Sequence, residues 1–347
     1  MNFLRRVFGL TPPPAEDDGI SITQDADHAG LPEEPVIEPG DNASLPGVDN
    51  GDREGASRAD DDTDPLLEEN LSKMLGTRPL PRLEPPPRLP GQRLTFGQFS
   101  DVGMVRGNNQ DAILALLASS ASIDGMPDFG LFIVADGMGG HHDGEKAASI
   151  TTRIVAQHVM SEILGAMLDQ RMDDPDRPAI TEVLREAFQQ ANRAVATQIP
   201  EGGTTASLVT IIGDLAYIAH VGDSRVYQIT DTGIEQITRD HSLVQRLIEL
   251  DQLTPEEAAD HPQRNVLYRA IGQNETLDVD AITRRMPPRS RLLLCSDGLW
   301  NLVPEETIRE ISAAHSDPQD VCEKLVELAN ERGGPDNISV IVVQVPG

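Results

Sequence analysis

Four aspartates lie in turns beside apolar segments of the chain. Asp136, Asp297 and Asp336 stand at the ends of apolar runs, and Asp223 lies in the turn Val221-Gly-Asp-Ser-Arg225. A carboxylate at the end of a buried strand is unfavourable unless it is paired or binds a metal ion. Each one alone fits an ordinary turn, but the four together indicate a metal site. Oxygen ligands without a nearby His and Cys set suit Mg²⁺ or Mn²⁺ rather than zinc.

Gly137 directly follows Asp136 and, lacking a side chain, lets its backbone carbonyl approach a cation. Two ions about 3.5 to 4 Å apart, bridged by Asp136, would turn a bridging water into a hydroxide placed for in-line attack. The predicted chemistry is metal-assisted hydrolysis.

Such a reaction on an anionic substrate needs an anchor of opposite charge. Arg106 lies in a polar, glycine-rich turn between two candidate strands. A planar guanidinium can hold two phosphate oxygens at once, so Arg106 is the candidate anchor. Taken alone, it would equally fit an ordinary surface arginine.

Six motifs in a fixed order resemble one known family, the metal-dependent protein phosphatase 2C (PPM) family of bacterial type. The resemblance extends over about residues 95–347. The motifs are Val105-Arg-Gly-Asn-Asn-Gln-Asp111, Asp136-Gly-Met-Gly-Gly-His141, Gly203-Thr-Thr205, Gly222-Asp-Ser-Arg225, Ser296-Asp-Gly298 and Gly334-Pro-Asp-Asn337.

The resemblance implies a binuclear Mn²⁺ or Mg²⁺ centre with a weaker third ion. Asp136 resembles the carboxylate that bridges both metals, and Gly137 resembles a carbonyl ligand of one. Asp297 and Asp336 match ligands of the other metal.

Three further positions carry implied roles. Asp223 matches a ligand of the third ion, and Asp111 matches an outer carboxylate that acts through water. Arg106 matches the phosphate-binding arginine. Every expected position is filled, which argues against an inactive relative.

The proton donor is less well defined. Animal members often carry His directly after the metal-binding Asp-Gly pair, and here that position is Met138. His141, three residues later, could protonate the leaving group, or a metal-bound water could do so. His141 fits a locally bonded turn histidine equally well.

Periodicity from residue 94 onward predicts an α+β domain. The resemblance makes it a β-sandwich of two antiparallel sheets flanked by helices. Four consecutive strands with tight turns read as one antiparallel meander. The predicted strands are 113–117, 131–135, 205–212, 215–221, 225–229, 233–237, 291–295 and 338–345, and the predicted helices are 144–168, 180–198, 304–313 and 319–332.

Residues 238–265 resemble the flap beside the site in bacterial members. Two interpretations are open for this segment. Its polar residues select protein substrates, or its helix at 243–250 is simply a packed excursion of the domain.

Residues 1–93 predict a disordered, acidic, proline-rich tail and linker, with 14 of the 26 prolines, and residues 94–347 form the predicted catalytic domain. The first ten residues place Phe3, Leu4, Val7 and Phe8 on one helical face beside Arg5 and Arg6. This face could dock weakly on a membrane or a partner, or it could be an unanchored terminus.

Charge and cysteine content exclude several classes of protein. The net charge is -29, about -10 on the tail and -19 on the domain, which opposes binding to nucleic acid. Two cysteines provide no disulfide framework or zinc motif, and no apolar run is long enough to span a membrane. These features predict a cytoplasmic protein.

The sequence therefore predicts a phosphatase that hydrolyses phosphoserine and phosphothreonine in proteins, by attack of a metal-bridging hydroxide. Its substrates would include a Ser/Thr protein kinase. Two alternatives are a signalling scaffold with a recruiting tail, and a binuclear phosphoesterase that acts on small molecules.

Overall fold

The structure is a computed structural model that describes residues 93–121, 125–139 and 143–347. Its eleven strands form two antiparallel sheets. The strands are β1 (Thr95–Asp101), β2 (Asp111–Ala118), β3 (Phe129–Met138), β4 (Gly203–Thr204), β5 (Ala206–Ile212), β6 (Leu215–Val221), β7 (Arg225–Thr230), β8 (Gly233–Gln236), β9 (Asp280–Arg285), β10 (Arg291–Cys295) and β11 (Ile338–Gln344).

Helices cover the outer face of each sheet. The first helix, α1, continues through a π-helical turn at Met160–Leu164 into α2, so the predicted helix 144–168 is present with one irregular turn. The helices are α1 (Asp143–Val159), α2 (Gly165–Leu168), α3 (Ile180–Gln198), α4 (Leu243–Glu249), α5 (Pro255–Ala259), α6 (Asp297–Trp300), α7 (Glu305–Ala314) and α8 (Pro318–Glu331).

The strand order confirms the predicted α+β sandwich. One sheet runs β1-β11-β10-β7-β8, and the other runs β2-β3-β5-β6-β9 with the short β4 paired to β3. Helices α1 and α3 pack on the second sheet, and α6, α7 and α8 pack on the first. The result is four layers, helix, sheet, sheet and helix, with a hydrophobic core in each of the three spaces between them.

Alternation along the strands divides their side chains between these cores. In β3, Leu131 and Ile133 face the helices, whereas Phe132 and Val134 face the other sheet. In β10, Leu292 and Leu294 lie between the sheets. Both faces of these strands are buried, so they read as continuous apolar runs in the sequence.

The predicted four-strand meander is wrong. Strands β5 and β6 pair in one sheet, but β7 and β8 pair in the other, so the segment forms two hairpins. The turn Gly222–Ser224 carries the chain from one sheet to the other. Gly222 has a φ of +110°, and a Cβ there would lie 2.5 Å from the Thr205 side chain, so only glycine fits this crossing.

Strand β9 is missing from the predicted strands. Its sequence, Asp-Ala-Ile-Thr-Arg-Arg, has no apolar run, and it lies at the edge of its sheet, where only β6 pairs with it. An edge strand with one covered face needs few apolar residues.

The tail and His141 lie outside the described residues, so the predictions about them remain untested. Within the part of the chain that the structure describes, no helix is long and apolar enough to cross a membrane.

The antiparallel register brings the predicted site residues to one edge of the sandwich. In one sheet, Asp111 at the start of β2 faces Asp136 near the end of β3. In the other sheet, β10 ends just before Asp297 and β11 begins just after Asp336, and Cys295 faces Val340. The end of one strand and the start of its antiparallel partner meet, so all of these turns share an edge.

Leu294 tests the core between the sheets. Leu294→Ala should lower the free energy of unfolding by about 2 to 5 kcal/mol, because it leaves a cavity in a tightly packed region. Urea denaturation measures this change. Leu168→Ala, at an exposed position, is the matched control and should change stability by less than about 0.5 kcal/mol. A loss below about 1 kcal/mol at Leu294 would contradict the packing described.

Candidate active site

Arg106 lies in the loop between β1 and β2, at the edge where the aspartates converge. Its Nη2 atom donates a hydrogen bond of 2.7 Å to Oδ2 of Asp336. The Arg106 side chain remains 49% exposed, so the guanidinium faces solvent while it touches the site. The hydrogen bond to Asp336 raises the pKa of Arg106, which keeps its charge fixed.

Asn337 holds this loop in place. Its Nδ2 donates to the carbonyl oxygens of Val102 at 2.9 Å and Asn108 at 3.0 Å, and its Oδ1 accepts from the Gln110 N–H at 2.8 Å. The buried amide thus ties together both arms of the loop that carries Arg106. Asn337 belongs to the Gly334-Pro-Asp-Asn337 motif, but the motif by itself predicts no role for it.

Two threonines form hydrogen bonds with the main chain of Asp136. The Thr205 hydroxyl accepts from the Asp136 N–H at 2.9 Å, and the Thr204 hydroxyl donates to the Asp136 carbonyl at 2.9 Å. The Thr205 hydroxyl also lies 2.7 Å from that of Ser224, in the turn that carries Asp223. The Gly-Thr-Thr motif therefore supports the aspartates.

Gly137 is enclosed by backbone on two sides. A Cβ at this position would lie 2.2 Å from the carbonyl oxygen of Gly144 and 2.7 Å from that of Gln110. Its own N–H donates to the Gln110 carbonyl at 3.2 Å. Any side chain would displace the start of α1 or the Arg106 loop.

Asp111 and Ser296 connect the two sheets. The Ser296 hydroxyl donates to Oδ2 of Asp111 at 2.8 Å, and the same oxygen of Ser296 accepts from the Ser339 N–H at 2.9 Å. Asp111 belongs to one sheet and Ser296 follows β10 of the other, so this contact positions Asp111 against Asp297 across the sandwich.

Asp223 is positioned by the aromatic side chain of Trp300, which in turn contacts an ion pair. Trp300 Nε1 donates to the Asp223 carbonyl at 3.0 Å, and the guanidinium of Arg225 lies 3.6 Å from the centre of the Trp300 ring. Arg225 also donates to both carboxylate oxygens of buried Asp240, at 2.8 to 3.1 Å. The sequence carried no signal for the Trp300 contact.

Crowding and burial make these carboxyl groups hard to ionise. Burial, opposed by hydrogen bonds from Ser339 and Ser296, raises the pKa of Asp111 to about 7, and burial together with the Asp336 charge raises that of Asp297 to about 6. The pKa of Asp136 lies well above its usual value because of burial and the charges of Asp111 and Asp297. Burial and the Asp297 charge raise the pKa of Asp223 in the same way.

These residues fit a divalent cation. Oδ1 of Asp111 and Oδ1 of Asp297 are buried and have no hydrogen-bond partner among the described residues. Buried, mutually repelling carboxylate oxygens without partners are typical of ligands for hard metal ions. Within the described residues, no three His, Cys, Asp or Glu side chains are already grouped to enclose an ion by themselves. Such ions take water and backbone carbonyls for much of their coordination shell, so a closed group is not required.

A cleft of about 820 Å³ opens from the site toward the segment between β8 and β9. It is lined by Arg106, Asp223 and Asp297 of the site, and by Ile248 of α4 and Arg264 from the segment between β8 and β9. Helix α4 has no buried residue. Within the predicted flap, helix α4 therefore borders the cleft, whereas the residues before it, such as His241 and Ser242, are buried.

Comparison with known proteins identifies the family. Residues 106–330 match the family model described as protein phosphatase 2C. The chain belongs to the protein phosphatase 2C family. The earlier resemblance is thereby confirmed.

Two relatives and one solved structure show how similar this chain is to other phosphatase 2C proteins. It is 35% identical to the serine/threonine protein phosphatase PstP of Mycobacterium tuberculosis over 258 residues, 73% of this chain and 45% of PstP. It is 34% identical to protein phosphatase PhpP of Streptococcus pneumoniae, over 71% of this chain and 96% of PhpP. The chain thus spans less than half of the length of PstP.

The solved structure is the catalytic domain of PstP in complex with two manganese ions. It aligns with a TM-score of 0.58 and 31% identity, over 73% of this chain and 99% of that chain. The phosphatase 2C fold is therefore shared.

The raised pKa of Asp111 leads to a prediction for the metal-free protein. A folded-state pKa above the unfolded value means that the folded protein binds the extra proton between about pH 4 and 7. Ionisation above that range is unfavourable in the folded state. Asp111→Asn should therefore stabilise the metal-free protein by an amount that grows as the pH rises from about 4 to 7 and then levels off.

Thermal unfolding in chelator, with wild type and Asp111→Asn side by side, measures this difference. The comparison cancels opposing groups such as buried His220, whose pKa is lowered to about 3 by burial. Excess Mn²⁺ should reverse the order of stability, because the charge of the ionised Asp111 carboxylate favours a cation bound beside it. A difference between the two proteins that does not change with pH would contradict the buried-carboxylate description.

Proposed function

We propose that this protein is a metal-dependent Ser/Thr phosphoprotein phosphatase. The single observation that carries the proposal is the cluster of buried, partly unpartnered carboxylates directly beside the exposed guanidinium of Arg106. Membership of the protein phosphatase 2C family, in which PstP is a serine/threonine protein phosphatase and PhpP a protein phosphatase, supports the same activity.

Five residues would hold two ions of Mn²⁺ or Mg²⁺ and a weaker third. Asp136 would bridge two ions, Gly137 would offer its carbonyl, and Asp297 and Asp336 would bind from the other sheet. Asp223 would hold the third ion with Asp297. When bound, the ions lower the pKa of water and neutralise charge on the phosphoryl group.

Asp111 would act in a different way from these ligands. Its Oδ2 accepts from Ser296, and its unpartnered Oδ1 could accept a hydrogen bond from a water molecule and orient it. This assignment agrees with the outer position that the sequence motif implies.

Arg106 would bind and orient the phosphate. In the structure its Nη2 contacts Asp336, so the guanidinium already lies within one hydrogen bond of the carboxylate cluster. Asn337 holds the loop, which reduces the entropy lost when Arg106 binds substrate.

The group that protonates the leaving alkoxide is left with two candidates. Met138 cannot donate a proton, and its sulfur accepts a hydrogen bond of 3.4 Å from Gln273. His141 is one candidate, and a water molecule within the site is the other.

The cleft favours a protein substrate over a small phosphate ester. It is about 820 Å³ in volume and is lined by helix α4 and by charged side chains on both walls. A substrate of this class must be made by a Ser/Thr kinase, and such a kinase, itself often phosphorylated, is the natural partner. The two buried free cysteines fit a reducing compartment such as the cytoplasm.

Replacing the proposed ligands should abolish most of the activity. Asp297→Asn and Asp336→Asn should each reduce kcat/KM on a phosphothreonine peptide by roughly 100-fold or more, because an amide is a poorer ligand and leaves the phosphate charge uncompensated. Phosphate release in Mn²⁺ or Mg²⁺ measures the loss. Asp169→Asn, at an exposed surface position, is the control and should behave like wild type.

Two results would refute the proposal. One is activity that survives both Asp297→Asn and Asp336→Asn or an excess of chelator. The other is a preference for nucleotides or phosphotyrosine over phosphothreonine peptides, which would favour the small-molecule alternative.

Two substitutions of Arg106 should reduce hydrolysis of the same peptide to different degrees. Arg106→Ala should raise KM and lower kcat/KM by about 10- to 100-fold, and Arg106→Lys should recover part of that loss, since it keeps the charge but not the planar fork. Steady-state kinetics measures both variants. Equal kinetics for wild type and Arg106→Ala would remove Arg106 from the phosphate site.

A further inference from the structure

Two apolar side chains are exposed beside the proposed phosphate anchor. Met104 is 68% exposed and Val105 is 71% exposed, and among the described residues they are the most exposed large apolar side chains. They are consecutive, and they directly precede Arg106. Single exposed apolar residues are common on protein surfaces, but an adjacent pair at the edge of a catalytic site is a candidate contact surface.

The backbone holds this pair in its exposed position. The Met104 N–H donates to the Gly334 carbonyl at 2.7 Å, and Asn337 ties down Val102 on one side and Asn108 on the other. Gly103 has a φ of +80°, which turns the chain immediately before the pair. The two side chains are thus presented by a fixed loop.

The same contacts place the pair next to the reaction centre. Cγ of Met104 lies over Gly334, only 3.1 Å from where a Cβ of that residue would be. Gly334 is two residues before Asp336, the partner of Arg106. Met104 therefore lies on the rim of the site, on the strand-connecting loop that also carries the guanidinium.

We propose that Met104 and Val105 form a specificity surface that contacts an apolar side chain directly before or after the phosphorylated residue of the substrate. The inference rests on the proposed phosphatase function. Neighbouring residues of a peptide have Cα atoms about 3.8 Å apart, as do Val105 and Arg106. A phosphate held by Arg106 therefore brings the flanking residue of the substrate within reach of the pair.

We expect the contacting substrate side chain to be apolar because it would displace water from the surface of Met104 and Val105. Covering Met104 and Val105 with an apolar side chain removes hydrocarbon surface of both partners from water. A glycine covers little of that surface, and an aspartate would lose hydration and approach an already acidic cluster. The flap side of the cleft carries charged groups such as Asp240 and Arg264 as well as apolar Ile248, so the contribution of the Arg106 loop is tested by changing that loop alone.

The experiment compares matched phosphothreonine peptides with Leu, Gly or Asp directly before or directly after phosphothreonine. Wild type should prefer Leu over Gly in at least one of the two positions by about 10-fold in kcat/KM. The double variant Met104→Ser with Val105→Ser should reduce that preference to within about twofold. Its turnover of a small aryl phosphate should stay unchanged, because that substrate has no flanking residue.

Controls separate this effect from damage to the fold or to the site. Leu168→Ser with Met160→Ser removes exposed apolar surface from helix α2 and the turn before it, which do not line the cleft, and should keep the preference of wild type. Unchanged thermal unfolding and aryl phosphate turnover show that the loop variant is folded and active.

Three outcomes would overturn the inference. The first is hydrolysis of all peptides by wild type without preference, the second is a preference that the loop variant keeps, and either result leaves the phosphatase function intact. If wild type hydrolyses aryl phosphate but no phosphopeptide, the proposed function fails as well. If the loop variant that keeps the preference also changes its sedimentation, that second outcome assigns the pair to contact between copies of the chain.

Discussion

The buried carboxylates at one edge of the sandwich are the constraint on which the rest of the site depends. Asp136 and Asp111 come from one sheet and Asp297 and Asp336 from the other, and their charges and burial raise the pKa of Asp136 and Asp297. Such groups would lower stability if nothing compensated them. Hydrogen bonds with Thr204 and Thr205 fix the backbone of Asp136, and a hydrogen bond from Ser296 fixes the side chain of Asp111, so a cation can neutralise the carboxylates where they lie.

The supporting contacts also explain why apparently minor residues matter. Asn337 makes no contact with the proposed phosphate, yet it joins both arms of the Arg106 loop. Trp300 donates a hydrogen bond to the Asp223 carbonyl and stacks against the guanidinium of Arg225. Arg225 in turn forms an ion pair with Asp240. Each contact crosses between segments that are distant in sequence. Precise placement of charge therefore depends on packing throughout the domain and not on the ligands alone.

Local patterns in the sequence were sufficient for some features and insufficient for others. Apolar runs located strands such as β5, β6 and β10, and turn glycines pointed to the aspartates, because these signals reside in a few neighbouring residues. The prediction that β6 and β7 pair in one sheet is wrong, because a tight turn has the same sequence pattern whether the next strand joins the same sheet or the opposite one. Strand β9 and the role of Trp300 depend on partners far along the chain, which no local pattern records.

The position of β11 has a consequence for how the protein becomes active. This strand is the last in the chain, yet it lies inside its sheet, between β1 and β10. During synthesis, β1 and β10 are made before β11 and cannot pair with it until it is complete. Asp336 and Asn337 are added only just before β11. Long-range pairing of this kind forms late and slowly. A nascent chain would therefore carry most of the domain before β11 and the turn with Asp336 and Asn337 are present to complete the edge where the aspartates meet.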